Sequence, residues 1–186
     1  MSYDHVIDKN IFPSFICSCI PQIDMMSVLE EAYQVQRLYS SENLSNEGGY
    51  HSPKFIGTKF LSVYNIVEEF CNDLLEQKGL GLKVQSIEYW CNINKSYNYN
   101  VMHQHGRADL IGIYYVKVPP NSGNLVVLRN DGSQYCDLYE NRADMLEYVT
   151  EPETGRLYIL PGHLWHYVTG SDSEQDRISI SFNIYT

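Results

Sequence analysis

Two different spacings of apolar residues divide the chain. From Asp24, the residues Met25, Val28, Leu29, Ala32 and Tyr33 recur at the interval that places them on one face of a helix. A polar stretch follows over residues 40–53 and contains Gly48-Gly49. A second helix is predicted from about Gly57-Thr58, because Phe60, Val63, Tyr64, Val67, Phe70, Cys71 and Leu74 again share one face. Gly79 and Gly81 are suited to end it, since glycine takes the left-handed conformation that closes a helix.

After about Leu82 the pattern shortens to runs of Val, Ile and Tyr separated by Gly, Asn and Pro, which is the signature of strands. Strands are predicted over residues 84–92, 110–118, 125–129, 145–150, 156–160, 166–169 and 177–185. In the last of these, Ile178, Ile180, Phe182 and Ile184 alternate strictly with Arg177, Ser179, Ser181 and Asn183, so one face packs on a core and the other is polar. Helices followed by this many strands predict a mainly β fold with N-terminal helices. The preferred architecture is a double-stranded β-helix, a jelly roll or cupin-like barrel, with the helices outside it. A generic β-sandwich is the alternative. The expected organisation is one domain over residues 1–186, with 1–82 as helical support and 83–186 as the barrel core.

Composition narrows the classes. With 186 residues, 44% hydrophobic and 19% charged, the chain can bury a substantial core. Thirteen Lys and Arg against twenty-three Asp and Glu leave a net charge of −10, which disfavours avid binding to a phosphate backbone. No apolar run approaches the roughly 20 residues of a spanning helix. The apolar stretch Ile11 to Ile20 follows Asp4 and Asp8 and contains Pro13, with no basic segment before it, so it does not read as a leader. A cytoplasmic location is expected, or the host cytoplasm for a phage-encoded chain. The cysteines at 17, 19, 71, 91 and 136 form no zinc-ribbon spacing and read as reduced thiols. Oligomeric state is not readable.

Histidine supplies the candidate chemistry. His103-Gln104-His105 places two imidazoles on one side of an extended segment, close enough for both to reach one metal. Alone this is a weak signal, which a surface turn explains equally well. His166 follows the turn Leu160-Pro161-Gly162 and lies beside Trp165, an aromatic expected to shield it, so it is the candidate third ligand. His163, within the turn, ranks lower, and His5 and His51 have no metal-like company. Arg177 and Ser179 lie on the polar face of the last strand. A guanidinium presents a planar fork to a carboxylate and a serine hydroxyl adds a donor. Together these residues suit non-haem iron(II), which takes three protein ligands on one face and leaves positions open. Arg177 would then bind the far carboxylate of a dicarboxylic 2-oxo acid.

In this order, His103-x-His105, His166 and Arg177-x-Ser179 resemble the H-x-D/E … H … R-x-S series of 2-oxoglutarate- and iron(II)-dependent oxygenases. The strand Leu110-Ile111-Gly112-Ile113-Tyr114-Tyr115-Val116 is similar to the one after the first metal motif in the prolyl-hydroxylase-like branch. The segment from Ser45 to Ser52 resembles an upstream element of a small group of bacterial and phage oxygenases. This resemblance implies a double-stranded β-helix that uses iron(II), 2-oxoglutarate and dioxygen to hydroxylate a C–H bond. It implies that Tyr115 meets the distal carboxylate of 2-oxoglutarate, although a tyrosine of the barrel wall fits the same position. It also implies that Asn92 lies near the proximal carboxylate. The sequence departs from the series at His105, where most members carry Asp or Glu; Asp109 is the alternative carboxylate. By the same analogy the substrate is a protein or peptide side chain or a small metabolite, with nucleic acid disfavoured. A cupin-like three-histidine dioxygenase without 2-oxoglutarate and a non-catalytic binding barrel are the competing readings. Tyr97, Tyr99 and Tyr135 are candidates for a substrate groove, and residues 130–142 for a lid.

Overall fold

The computed structural model describes residues 14–129 and 147–186. Its elements run β1 (Cys17–Cys19), α1 (Met25–Leu38), β2 (Asn46–Glu47), β3 (Tyr50–His51), α2 (Leu61–Gln77) and β4 (Ser86–Asn94). They continue with β5 (Tyr99–His103), β6 (Leu110–Lys117), β7 (Leu125–Leu128), β8 (Glu147–Thr150), β9 (Leu157–Pro161), β10 (His166–Val168) and β11 (Arg177–Tyr185). The proposed lid, Tyr135 and Cys136 lie outside the described residues.

Helix α1 starts where Asp24 caps it, its side chain accepting from the Ser27 N–H. Helix α2 begins three residues later than its apolar spacing predicts. Phe60 sits in the left-handed region with φ 47°, and the N–H groups of Thr58 and Lys59 donate to the Tyr89 hydroxyl, so the chain before Leu61 is held out of the helix. Glu31 then accepts from the Phe60 N–H, tying the start of α2 to α1.

All strand pairings are antiparallel. They build a large sheet in the order β1-β9-β6-β11-β4-β3 and a small one in the order β2-β5-β10-β7-β8. The chain thus forms the double-stranded β-helix expected from its pattern. Strand β11 is central to the large sheet, and its alternation sorts that sheet into two faces. Ile178, Ile180, Phe182 and Ile184 pack outward with Ile87, Tyr89, Cys91 and Tyr114 against Val28, Ala32 and Val35 of α1 and Val63, Val67 and Cys71 of α2. Each such aliphatic side chain, fully buried, contributes about 1.5–3 kcal/mol to folding. A smaller cluster, including Ile111, Leu125, Val127 and Leu160, fills the space between the sheets.

Four short strands were not evident in the apolar pattern: β1, β2, β3 and β5. The segment from Ser45 to Ser52 carries two of them, and they belong to different sheets. Strand β2 pairs with β5 of the small sheet and β3 with β4 of the large one. Gly48 and Gly49 make the corner between them. Gly48 has φ +76°, and a Cβ on Gly49 would collide with the Asn94 side chain. Among the described residues, no helix is long and apolar enough to cross a membrane.

Candidate metal centre and carboxylate pocket

Side chains that are register partners on antiparallel strands leave the sheet on the same side. The inner face of the large sheet therefore carries Arg177 with Asn94, Ser179 with Asn92 and Tyr115, Ser181 with Trp90, and Asn183 with Glu88. A bulge between Ile178 and Ser179 adjusts the register there. Of these, Arg177, Ser179, Asn92, Tyr115, Ser181 and Trp90 line a recess whose opposite wall is the small sheet, and His103, His105 and His166 line it too.

His103 ends β5 and His166 begins β10, and the two are register partners. His105 follows in the turn after β5. That turn is fixed against the one before β10: the His105 N–H donates to the Gly162 carbonyl at 2.9 Å and the Gly162 N–H donates to the Asp109 carbonyl at 3.0 Å. A Cβ on Gly162 would press into the Ala108 carbonyl, so only glycine permits this approach. The ring centres lie 4.4 Å apart for His103 and His166, 5.0 Å for His103 and His105, and 5.2 Å for His105 and His166. Their ligand atoms all lie within 4.8 Å of one another.

The hydrogen bonds fix which nitrogen faces the shared centre. Nδ1 of His103 lies 2.7 Å from the Val101 carbonyl and Nδ1 of His166 lies 2.9 Å from the Leu164 carbonyl. A carbonyl can only accept, so each Nδ1 carries the proton and each Nε2 keeps its lone pair. Nδ1 of His105 meets Oδ1 of Asn183 at 2.6 Å, and the Asn183 amide nitrogen donates to Glu88 at 3.4 Å. All three imidazoles thus present Nε2 as a donor to a metal. Burial, and then the neighbouring His103, lowers His166 to about 3 and His105 to about 4; burial also lowers His103. The rings are neutral at neutral pH, the form that binds metal. This donor set fits iron(II), for which imidazole is a good ligand.

Asp109 is not part of the cluster. Its carboxylate accepts from the backbone N–H of Thr186 at 2.8 Å and from the Thr186 hydroxyl at 3.1 Å. His163 is exposed and lies outside the cluster. The expectation that Trp165 shields His166 is corrected: Trp165 is 38% exposed. The tryptophan that covers the cluster is Trp90 on β4, on the His105 side: it stacks on the His105 ring at 5.9 Å and on His51 at 5.4 Å. The sequence separation of Trp90 from every histidine motif hid this role.

Arg177 is 3% exposed. Its Nη1 donates to the Ser122 carbonyl at 2.9 Å, and with the Asn94 amide turned to present its oxygen, Nη2 donates there at 2.7 Å. Burial lowers its proton affinity, opposed by Tyr115, yet a guanidinium stays charged in a protein. No carboxylate among the described residues pairs with it. Tyr115, 2% exposed and with its phenol pushed up to about 12 by burial, shares the recess with Ser179. Asn92 lies there too, donating to the Ser181 hydroxyl at 2.9 Å, and its Oδ1 is buried without a partner. Tyr97 is 82% exposed and Tyr99 42% exposed, outside the residues that line the recess.

A buried guanidinium and three imidazoles able to hold a metal thus line one recess of a double-stranded β-helix, an arrangement that places the chain among barrels with a candidate metal centre. The family described as "Putative 2OG-Fe(II) oxygenase" matches residues 88–183. The chain belongs to that 2OG-Fe(II) oxygenase family, which uses iron(II) and 2-oxoglutarate. Solved structures with the same fold include a prolyl-4-hydroxylase from Pseudomonas putida, with TM-score 0.64 and 16% identity over 91% of each chain. They also include the viral collagen prolyl hydroxylase of Paramecium Bursaria Chlorella virus-1 in complex with 2OG, with TM-score 0.60 and 10% identity over 91% of this chain and 94% of that one. The non-heme alpha ketoglutarate dependent epimerase SnoN from nogalamycin biosynthesis has TM-score 0.60 and 13% identity over 90% of this chain and 74% of that one. No curated protein sequence matches the chain.

Proposed function

We propose that this chain is an iron(II)- and 2-oxoglutarate-dependent hydroxylase acting on a protein or peptide side chain or on a small metabolite. His103, His105 and His166 hold the metal. Arg177, with Ser179 and Tyr115, binds the distal carboxylate of 2-oxoglutarate, and Asn92 contacts the co-substrate nearer the metal. Residues 1–186 act as one oxygenase domain, in which the helices brace the large sheet. The observation that carries the reading is Arg177: a buried guanidinium with no carboxylate partner among the described residues, lining the same recess as three imidazoles.

When bound, iron(II) and 2-oxoglutarate supply the activation of dioxygen, one oxygen atom going to succinate and the other to the substrate. The chain's part is placement. The Nδ1–H bonds hold three lone pairs toward one centre, and three neutral ligands leave the metal's full charge to attract an anionic chelator. Arg177 fixes the far end of that chelator through a two-pronged hydrogen bond, and the burial of Trp90 keeps bulk water from the His105 side.

The peptide or metabolite substrate rests on likeness to the prolyl hydroxylases, and the cytoplasmic setting on the free thiols of Cys17, Cys19, Cys71 and Cys91. The acidic balance of the chain disfavours nucleic acid. A three-histidine dioxygenase that needs no 2-oxoglutarate uses the same ligands but leaves Arg177 without an anion. The deciding experiment adds 2-oxoglutarate to the iron(II)-loaded protein without air, then admits air with candidate peptides and amino acids. A visible charge-transfer band followed by succinate and an added oxygen by mass supports the proposal. Absence of both the band and succinate refutes it.

A further inference from the structure

The candidate ligand at position 105 is an imidazole, and a side-chain relay stands behind it. His105 donates through Nδ1 to Asn183, whose amide donates in turn to Oε2 of Glu88. Asn183 and Glu88 are register partners on β11 and β4, so the ladder itself sets their contact. The same Glu88 oxygen receives the Lys54 ammonium at 2.7 Å and the Tyr185 hydroxyl at 3.1 Å. Asn183 is 7% exposed and Glu88 half-buried.

An asparagine between a histidine and a solvent-facing group can turn over. Its two ends are nearly the same shape, one accepting and the other donating. Turned one way, it accepts from Nδ1 and leaves Nε2 free for metal. Turned the other, it donates to Nδ1 and moves the proton to Nε2, which then cannot bind. His103 and His166 are spared this choice because backbone carbonyls hold them. At His105 the choice is settled by what Asn183 faces on its far side: the Glu88 carboxylate, which has no donor to offer when ionised, and the Tyr185 hydroxyl, whose proton is given to Glu88.

We propose that Glu88 and Asn183 are positioning residues for the metal centre: the acceptor-only carboxylate of Glu88 locks the Asn183 amide in the orientation that keeps His105 in its metal-binding tautomer. The relay ends, two hydrogen bonds away, on a carboxylate ion-paired with Lys54, behind a position that most members of the series carry as a carboxylate. The inference rests on the metal-site reading above, but its first readout needs no metal.

Nitrogen-15 NMR of the metal-free, full-length protein reports which nitrogen of His105 is protonated, and titration with cobalt(II) reports affinity. The wild type should show the proton on Nδ1. Glu88→Gln offers a donor to Asn183 and should give a mixture of tautomers, with cobalt(II) binding weakened several-fold. Asn183→Leu should weaken it about 10–100-fold, the range for loss of a ligand's outer partner. Asn183→Asp accepts unconditionally and, combined with Glu88→Gln, should restore the Nδ1 proton and wild-type affinity. Lys54→Met removes a partner of Glu88 outside the relay and should leave the tautomer unchanged. An unaltered tautomer in folded Glu88→Gln, or an equal disturbance by Lys54→Met, overturns the lock. Wild-type protein with the expected tautomer but no cobalt(II) binding would sink the metal reading instead.

Discussion

His103 and His166 face each other as register partners on β5 and β10, their rings 4.4 Å apart. The proposed metal pair is therefore as rigid as the sheet pairing, and of the three imidazoles only His105 depends on a turn. His166 is the most buried of the three proposed ligands. His166→Ala should lower cobalt(II) or zinc(II) affinity at least about 100-fold while circular dichroism stays that of a β protein. Isothermal titration checks this; unchanged affinity would remove His166 from the centre.

Arg177→Leu separates metal binding from co-substrate binding. Iron(II) or cobalt(II) affinity should stay within a few-fold of wild type, while 2-oxoglutarate binding falls beyond detection. The change also strips donors from the Ser122 carbonyl and Asn94, which should cost about 1–3 kcal/mol of stability. Anaerobic titration with 2-oxoglutarate and urea melts measure the two effects. Retained 2-oxoglutarate binding would assign the carboxylate elsewhere.

Gly162→Ala tests the coupling of the two histidine turns. The new methyl meets the Ala108 carbonyl and lies 3.1 Å from the His105 carbonyl oxygen, so the turns must part. A loss of about 1–3 kcal/mol is expected in chemical denaturation, with weaker metal binding as His105 shifts. Wild-type stability would mean that the two turns move apart without strain.

The metal-free protein should weaken toward acid. An imidazole ordinarily takes up its proton near 6.5, whereas in the fold burial and the neighbouring His103 hold His166 to about 3 and His105 to about 4. As pH falls below about 6.5 the unfolded chain binds protons that the folded chain refuses, so the stability present above 6.5 is lost on the way to pH 3–4. Between pH 7.5 and 5 the loss should be on the order of 2–4 kcal/mol in urea melts. His166→Gln should flatten that slope; an identical slope would show that His166 is not held neutral by the fold.

How much of this is written in the chain depends on the scale of the signal. Strand β11 was predicted over the residues it occupies because its nine positions alternate without a break, and that alternation placed Arg177 and Ser179 on the polar face. Strands β2 and β3 have two residues each, too few to show a period, and β5 is a polar-flanked strand of five with only Val101 and Met102 as aliphatic members. Their existence is decided by partners elsewhere. The choice between His105 and Asp109 needed the position of Thr186, which holds the Asp109 carboxylate. The shield was assigned to Trp165 because nearness in sequence stood in for nearness in space; pairing of β4 with β11 brings Trp90 to the site instead. Asn183 was visible as a polar member of the last strand, but its partnership with Glu88 exists only in the register.

The Gly48-Gly49 corner also has a mechanical meaning. Because β2 is hydrogen-bonded into one wall and β3 into the other, the two walls are stitched together by a pair of residues without side chains. Any widening of the cleft at that seam must be taken up by rotation at these two positions. Stiffening the seam would therefore register as a change in how readily the cleft admits its guests, even though neither glycine touches them.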